Sequence, residues 1–222
     1  MGPLPGEADD VTVMDDLLRI AHRAGVHLAV PQDLQGHCCG VPFSSKGFDR
    51  AHDAAANKTI ESFFRWSNGG AVPIVLDTSP CTYGLRTCRE HLTHDNQERF
   101  DKLEFVSEWI LPKLVVRRKI RRVAVHPVCS VVNMGLAGKL TQVVKACSEE
   151  VVVPRDGGCC AFAGDRGFLF PELTASATET EASQIRQQPC DAYFSSSRTC
   201  EIGMTLLEYA SRLDETSEPA KG

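Results

Sequence analysis

The chain has 222 residues, a formal net charge of −5 and 42% hydrophobic residues. That length accommodates one large domain or two of roughly 110 residues, and an acidic balance without a basic stripe argues against a nucleic-acid binder. No run reaches the roughly 20 apolar residues needed to span a bilayer, and residues 1–10 are acidic without an apolar signal core, so a cytoplasmic chain with ten reduced cysteines is expected, meeting the inner membrane face only through partners.

In chain order, residues 12–24 put Val13, Leu17, Ile20, Ala21 and Ala24 on one helical face, and a β-branched strand over 26–30 follows. Next comes Val-Pro-x-Asp-x-x-Gly-His37-Cys38-Cys39-Gly40, then a helix over 49–66 and a strand over 72–77 leading to Cys81 and another helix. Residues 103–114 read as a strand plus a short helix limited by Pro112, and the basic residues 117–122 as a solvated linker. A strand over 122–126 precedes Cys129. A helix over 136–147 then aligns Leu136, Leu140, Val143, Val144 and Cys147, and a strand over 151–153 enters Val-Pro-x-Asp-Gly-Gly-Cys159-Cys160-Ala161. A helix over 171–186, a strand over 192–195, Cys200 and a further helix complete the pattern; the tail from 214 reads as frayed.

The second series repeats the first. Pro154 follows Pro31 by 123 residues, Cys159 follows Cys38 by 121 and Cys200 follows Cys81 by 119. The five apolar positions of the two helices pair at an offset of 123. A drift of two residues per loop is the mark of an internal duplication. The expected fold is therefore α/β: two duplicated Rossmann-like repeats with mainly parallel strands and cysteine-bearing loops at the strand ends. The first repeat is set at 11–100, a connecting segment at 101–121 and the second repeat at 122–213, with the tail at 214–222.

The repeat also sorts the thiols. Cys147 corresponds to Ala24, Cys190 to Ala71 and Cys88 to Leu207, so these three read as structural. Cys129, Cys159, Cys160 and Cys200 form a complete set of four. Cys38, Cys39 and Cys81 form an incomplete one, because the counterpart of Cys129 falls at Gly6. Four thiolates converging from strand ends suit an iron–sulfur cluster of the 4Fe-4S kind. Adjacent cysteines strain a mononuclear tetrahedral site, and zinc more often takes ligands two to four residues apart. Zinc is nonetheless an alternative occupant of the first repeat, where His37 is the candidate for the missing ligand. Lys46 and Arg166, each before a glycine, are candidate cations beside an anionic cluster. His126 is placed to tune the second site.

These residues carry a resemblance. The runs 36–47, 126–130, 162–167 with Pro171-Glu172-Leu173-Thr174, and 197–203 resemble the cysteine-rich CCG domain found in heterodisulfide reductases, glycolate oxidase iron–sulfur proteins and lactate-utilisation proteins. They are most similar to the C-terminal region of bacterial FAD-linked D-lactate dehydrogenases. The resemblance implies an electron-transfer module without catalysis of its own. Electrons would pass from a flavoprotein partner carrying FAD, and a ferredoxin-like iron–sulfur domain, toward a membrane quinone or cytochrome. The rival reading is a zinc-stabilised, redox-silent interaction module. Two departures stand out. Ala161 occupies the position where the family carries glycine. Gly84 and Gly203 stand where heterodisulfide reductase has a further cysteine.

Overall fold

The structure, a computed structural model, describes residues 13–106, 115–197, 199 and 200. The first half opens with α1 (Val13–Arg23), whose Ala21 is buried while Ile20, expected on the same face, is 40% exposed. The strand expected over 26–30 is not formed: among the described residues this run joins no sheet, and His27, Ala29 and Val30 face solvent. A β-branched run becomes a strand only where a neighbour supplies the ladder.

The short α2 (Val41–Ser44) follows Gly40, and α3 (Asp49–Trp66) supplies the buried Ala56, Ile60 and Phe63 at helical spacing. The strand expected over 72–77 shrinks to β1 (Ile74–Val75). It leads into α4 (Ser79–Thr87), a 3-10 turn (Cys88–His91) and α5 (His94–Phe100). β1 pairs in parallel with β2 (Phe105–Val106), which lies in the segment read as a connection. The short helix expected toward Leu114 falls on residues outside those described.

The second half is built on a three-stranded parallel sheet in the order β4-β3-β5. The central β3 (Ile120–His126) begins two residues before its expected start. Ile120 and Arg121, read as part of a solvated linker, are therefore strand residues; Arg121 pairs with Asp191, and Arg122, at the expected strand start, with Glu150. Next come α6 (Cys129–Asn133), α7 (Ala137–Cys147) and β4 (Ser148–Val152), three residues ahead of the expected 151–153. α8 (Arg166–Leu169), α9 (Pro171–Arg186) and β5 (Ala192–Ser195) complete the described part.

β3 reads Val-Ala-Val-His at its buried end because both its faces are covered. Val123 and Val125, two apart, pack with Val144 and Leu140 of α7. Ala124 and His126 point the other way, where α9 brings Glu181 against His126. The architecture is α/β with parallel strands, as expected. Among the described residues the first half shows a two-stranded sheet and the second a three-stranded one, so the expected duplication does not extend to equal sheets there. The tail and the helix expected beyond Cys200 lie outside the described residues.

Candidate metal centre

All ten cysteines are free thiols. The second set is assembled by three consecutive strand ends. β3 runs through His126-Pro127-Val128 to Cys129, the first residue of α6. β4 leads through residues 153–158 to Cys159 and Cys160, and β5 leads to Cys200. Loops at the carboxyl ends of parallel strands converge, which is why residues 71 apart in sequence meet here. Cys160 and Cys200 are buried, with sulfurs 2.8 Å apart, against Val128 and Phe162. Cys159 is exposed and interacts with Cys129.

The residue after each cysteine pair is left-handed: Gly40 at φ 85° and Ala161 at φ 56°. That turn aims the following backbone N–H groups at the sulfurs, from Val41 to Cys39 and from Phe162 to Cys160. Position 161, where the resembling family carries glycine, has a positive φ, and Ala161 adopts it at a steric cost.

The electrostatics of the two sets differ. Cys129 S–H, assisted by the Ala161 N–H and the His126 charge, pulls Cys159 down to about 5 against its burial. Cys200 S–H, with the Phe162 N–H, lowers Cys160 to about 7. Cys129 and Cys200 are raised in turn, each chiefly by its thiolate neighbour and then by desolvation. The second set thus offers two thiolates near neutral pH. In the first set, Cys39 and Cys81 lie 3.1 Å apart. Only Cys81 is lowered, chiefly by Cys39. Cys38 is raised, by Cys39 and by burial. Cys39 gains from Cys38, but Cys81 and burial outweigh that and push it up to about 11.

Among the described residues, no three cysteine sulfurs lie within 4.8 Å of one another. Thiolates around one tetrahedral zinc would stand about 3.8 Å apart. Four cysteine sulfurs, paired as Cys129 with Cys159 and Cys160 with Cys200 and with one of each pair drawn toward the thiolate, are a donor set that an iron–sulfur cluster takes.

The other expected participants have defined places. Lys46 Nζ binds Asp165 Oδ2 at 2.6 Å, and Arg166 donates to the Ser45 carbonyl at 2.7 Å. Each loop's cation is therefore held by the opposite loop. His37 binds the Leu34 carbonyl through Nδ1 and Ser62 Oγ through Nε2, at 3.1 and 2.8 Å. Its ring packs edge-on to Trp66, so both nitrogens have non-sulfur partners. Cys88 is buried with its S–H on the Leu85 carbonyl, Cys190 donates to the Gln188 carbonyl, and Cys147 is half-buried at the end of α7.

The sequence reading missed Glu181. It is 1% exposed, and its Oε1 lies 2.7 Å from His126 Nδ1. The signal was there: Thr174, Thr178, Glu181, Ala182 and Ile185 form one buried helical stripe with a carboxylate in it. A carboxylate on one imidazole nitrogen fixes the ring and leaves the other nitrogen for a neighbouring centre. His126 Nε2 is that second nitrogen; it is buried and has no hydrogen-bond partner among the described residues.

Comparison with known proteins adds two relatives and one family match. The C subunit of the anaerobic glycerol-3-phosphate dehydrogenase of Escherichia coli K12 is 24% identical over 216 residues, covering 88% of this chain and 54% of the relative. Its counterpart in Escherichia coli O157:H7 gives identical values. The chain spans about half the length of the curated relatives it matches. No solved structure matches it. The D-lactate dehydrogenase likeness thus rests on the motifs alone. Residues 123–205, which include the whole second set of thiols, match the cysteine-rich domain family CCG.

Proposed function

We propose that this chain is an iron–sulfur electron-transfer module of a flavin-linked dehydrogenase. The observation that carries the reading is the second thiol set: four cysteines from three strand ends, two of them held toward the thiolate. Cys129, Cys159, Cys160 and Cys200 hold a 4Fe-4S cluster in this reading, and Cys38, Cys39 and Cys81 form a weaker site. A bound cluster supplies one-electron transfer. The chain's own residues bind it, direct the Ala161 and Phe162 N–H groups toward the sulfurs, and keep solvent away with Phe162 and Val128. FAD sits on a flavoprotein partner, and the electrons leave toward a quinone or cytochrome. The motif resemblance favours a 2-hydroxy acid such as D-lactate as the donor oxidised by that partner. The names of the two relatives favour glycerol 3-phosphate as the second reading.

The test is anaerobic reconstitution followed by iron analysis and electron paramagnetic resonance. Cys200→Ser is expected to lose most of the bound iron. Cys147→Ala keeps its iron and loses only packing, about 1 kcal/mol or less. Full iron and an unchanged spectrum in Cys200→Ser would refute the ligand set, and zinc without iron in the native protein would establish the redox-silent alternative. Reduction of the module by flavoproteins fed either substrate separates the two donors.

A further inference from the structure

A second cluster of ligand atoms lies outside the thiol sets, where α3 meets the 3-10 turn. His52 and Asp53 are neighbours on α3, and His91 closes the turn. Both imidazoles direct Nδ1 at one oxygen: Asp53 Oδ1 lies 3.1 Å from His52 Nδ1 and 3.0 Å from His91 Nδ1. The three donor atoms all lie within 4.8 Å of one another. Zinc-to-nitrogen and zinc-to-oxygen bonds of about 2.0–2.1 Å place neighbouring ligand atoms about 2.8–3.4 Å apart between octahedral and tetrahedral angles. Both histidine–carboxylate distances fall in that range.

The surroundings hold the three donors in place. His52 is 6% exposed. A Cβ on Gly40 would come within 2.6 Å of His52 Cδ2, so the glycine of the first cysteine loop is what admits this ring. The two imidazoles pack edge to face, with centroids 4.6 Å apart. Asn57, one turn along α3 from Asp53, donates to the Asp53 and His91 carbonyls at 2.8 and 3.1 Å. Its Oδ1 accepts the Thr93 N–H at 2.8 Å, so the turn carrying His91 is clamped to the helix carrying the other two donors. Half-exposed Asp53 and His91 leave room for water at the remaining positions.

We propose that His52, Asp53 and His91 bind one divalent cation of the zinc class through two imidazole nitrogens and a carboxylate oxygen. The ion replaces the two Nδ1 protons now shared with Asp53. It ties α3 to the 3-10 turn and, through His52, braces the Gly40 corner beside Cys38 and Cys39. This site is independent of the iron–sulfur reading, because it uses no sulfur.

The test uses cobalt(II) as the probe on the reduced, iron-free full chain under anaerobic conditions. Thiol-bound cobalt shows a thiolate-to-metal charge-transfer absorption, and cobalt on nitrogen and oxygen does not. The expected result is that His91→Ala and Asp53→Asn each bind one equivalent less cobalt than the native chain, with charge-transfer absorption unchanged. Zinc added after the thiols are saturated should raise the thermal midpoint of the native chain but not of His91→Ala. His91 is half-exposed and its anchoring uses the main chain, so the variant keeps its fold. Equal stoichiometry in native and variant protein, or loss of the charge-transfer absorption along with the equivalent, overturns the proposal. Loss of iron binding in Cys200→Ser bears only on the other site.

Discussion

At the scale of single residues, the two cysteine corners use one backbone device with different side chains. Gly40 and Ala161 are both left-handed, and both send the next N–H groups to a sulfur. Glycine takes that conformation freely, whereas alanine pays for its Cβ. Ala161→Gly is therefore expected to stabilise the metal-free protein by about 1 kcal/mol or less, part of the gain being offset by a freer unfolded chain. Gly40→Ala should cost about 2 kcal/mol or more, because strain adds to an overlap with His52 at 2.6 Å. Chemical denaturation of the two reduced variants measures both. If Gly40→Ala proved as mild as Ala161→Gly, the close approach of His52 would not be what fixes a glycine there. The departure at 161 was legible in the sequence because the repeat supplied Gly40 as its counterpart. The cost at Gly40 was not, since the ring that fills the space comes from α3.

Among the elements, the long amphipathic ones were legible and the short strands were not. The bounds of α3 and α9 agree with the apolar periodicity, because each buries its own stripe. The run 26–30 carries the same kind of signal yet joins no sheet among the described residues, and pairing is a property of the tertiary fold. The ligand set could be read from repeated spacing, but the His126–Glu181 pair, 55 residues apart, depends on α9 crossing the end of β3. The two side chains are 5% and 2% exposed, so each charge relies on the other. Burial opposes the imidazolium, but Glu181, with the nearby Cys160 and Cys159, outweighs it and raises His126 above its ordinary 6.5. A raised folded pKa contributes stability that is fully present below the unfolded value and is lost as pH climbs through the folded one. Glu181→Leu is expected to cost about 3–5 kcal/mol at low pH and to reverse that slope, because it leaves a buried imidazolium opposed by desolvation. Adding His126→Leu should recover much of the loss. Urea titrations of native, single and double variants across about pH 5–8 check this; a single variant as stable as the native chain would mean that water already reaches the pair.

At the scale of the whole molecule, the two thiol sets sit on loops that grip each other. Ser79, two residues before Cys81, binds the Ser196 carbonyl at 3.0 Å and receives the Ser130 hydroxyl at 2.9 Å, beside Cys129. Gly164 passes so close to Pro42 that a Cβ would come within 2.9 Å of its Cα. The Lys46–Asp165 pair spans the same seam, and as a partly exposed pair it adds only about 0–1 kcal/mol. The loops are thus fixed mainly by close backbone approach and buried hydroxyls. This mutual support does not make the sites equal. The second set has four thiols, two of them near the thiolate at neutral pH. The first has three, with Cys38 and Cys39 raised and both nitrogens of His37 engaged by Leu34 and Ser62. A site short of one ligand leaves a metal position open to solvent and oxidant, and thiols that ionise reluctantly bind metal weakly at neutral pH. The second site should therefore hold a stable cluster, and the first should be empty, zinc-filled or readily lost in air. Metal stoichiometry and spectra of the native chain, set beside a Cys38→Ser, Cys39→Ser double variant and Cys200→Ser, decide it. The double variant is expected to keep most of the iron that Cys200→Ser loses. Equal losses in the two would mean that the seam joins the sets into one shared centre.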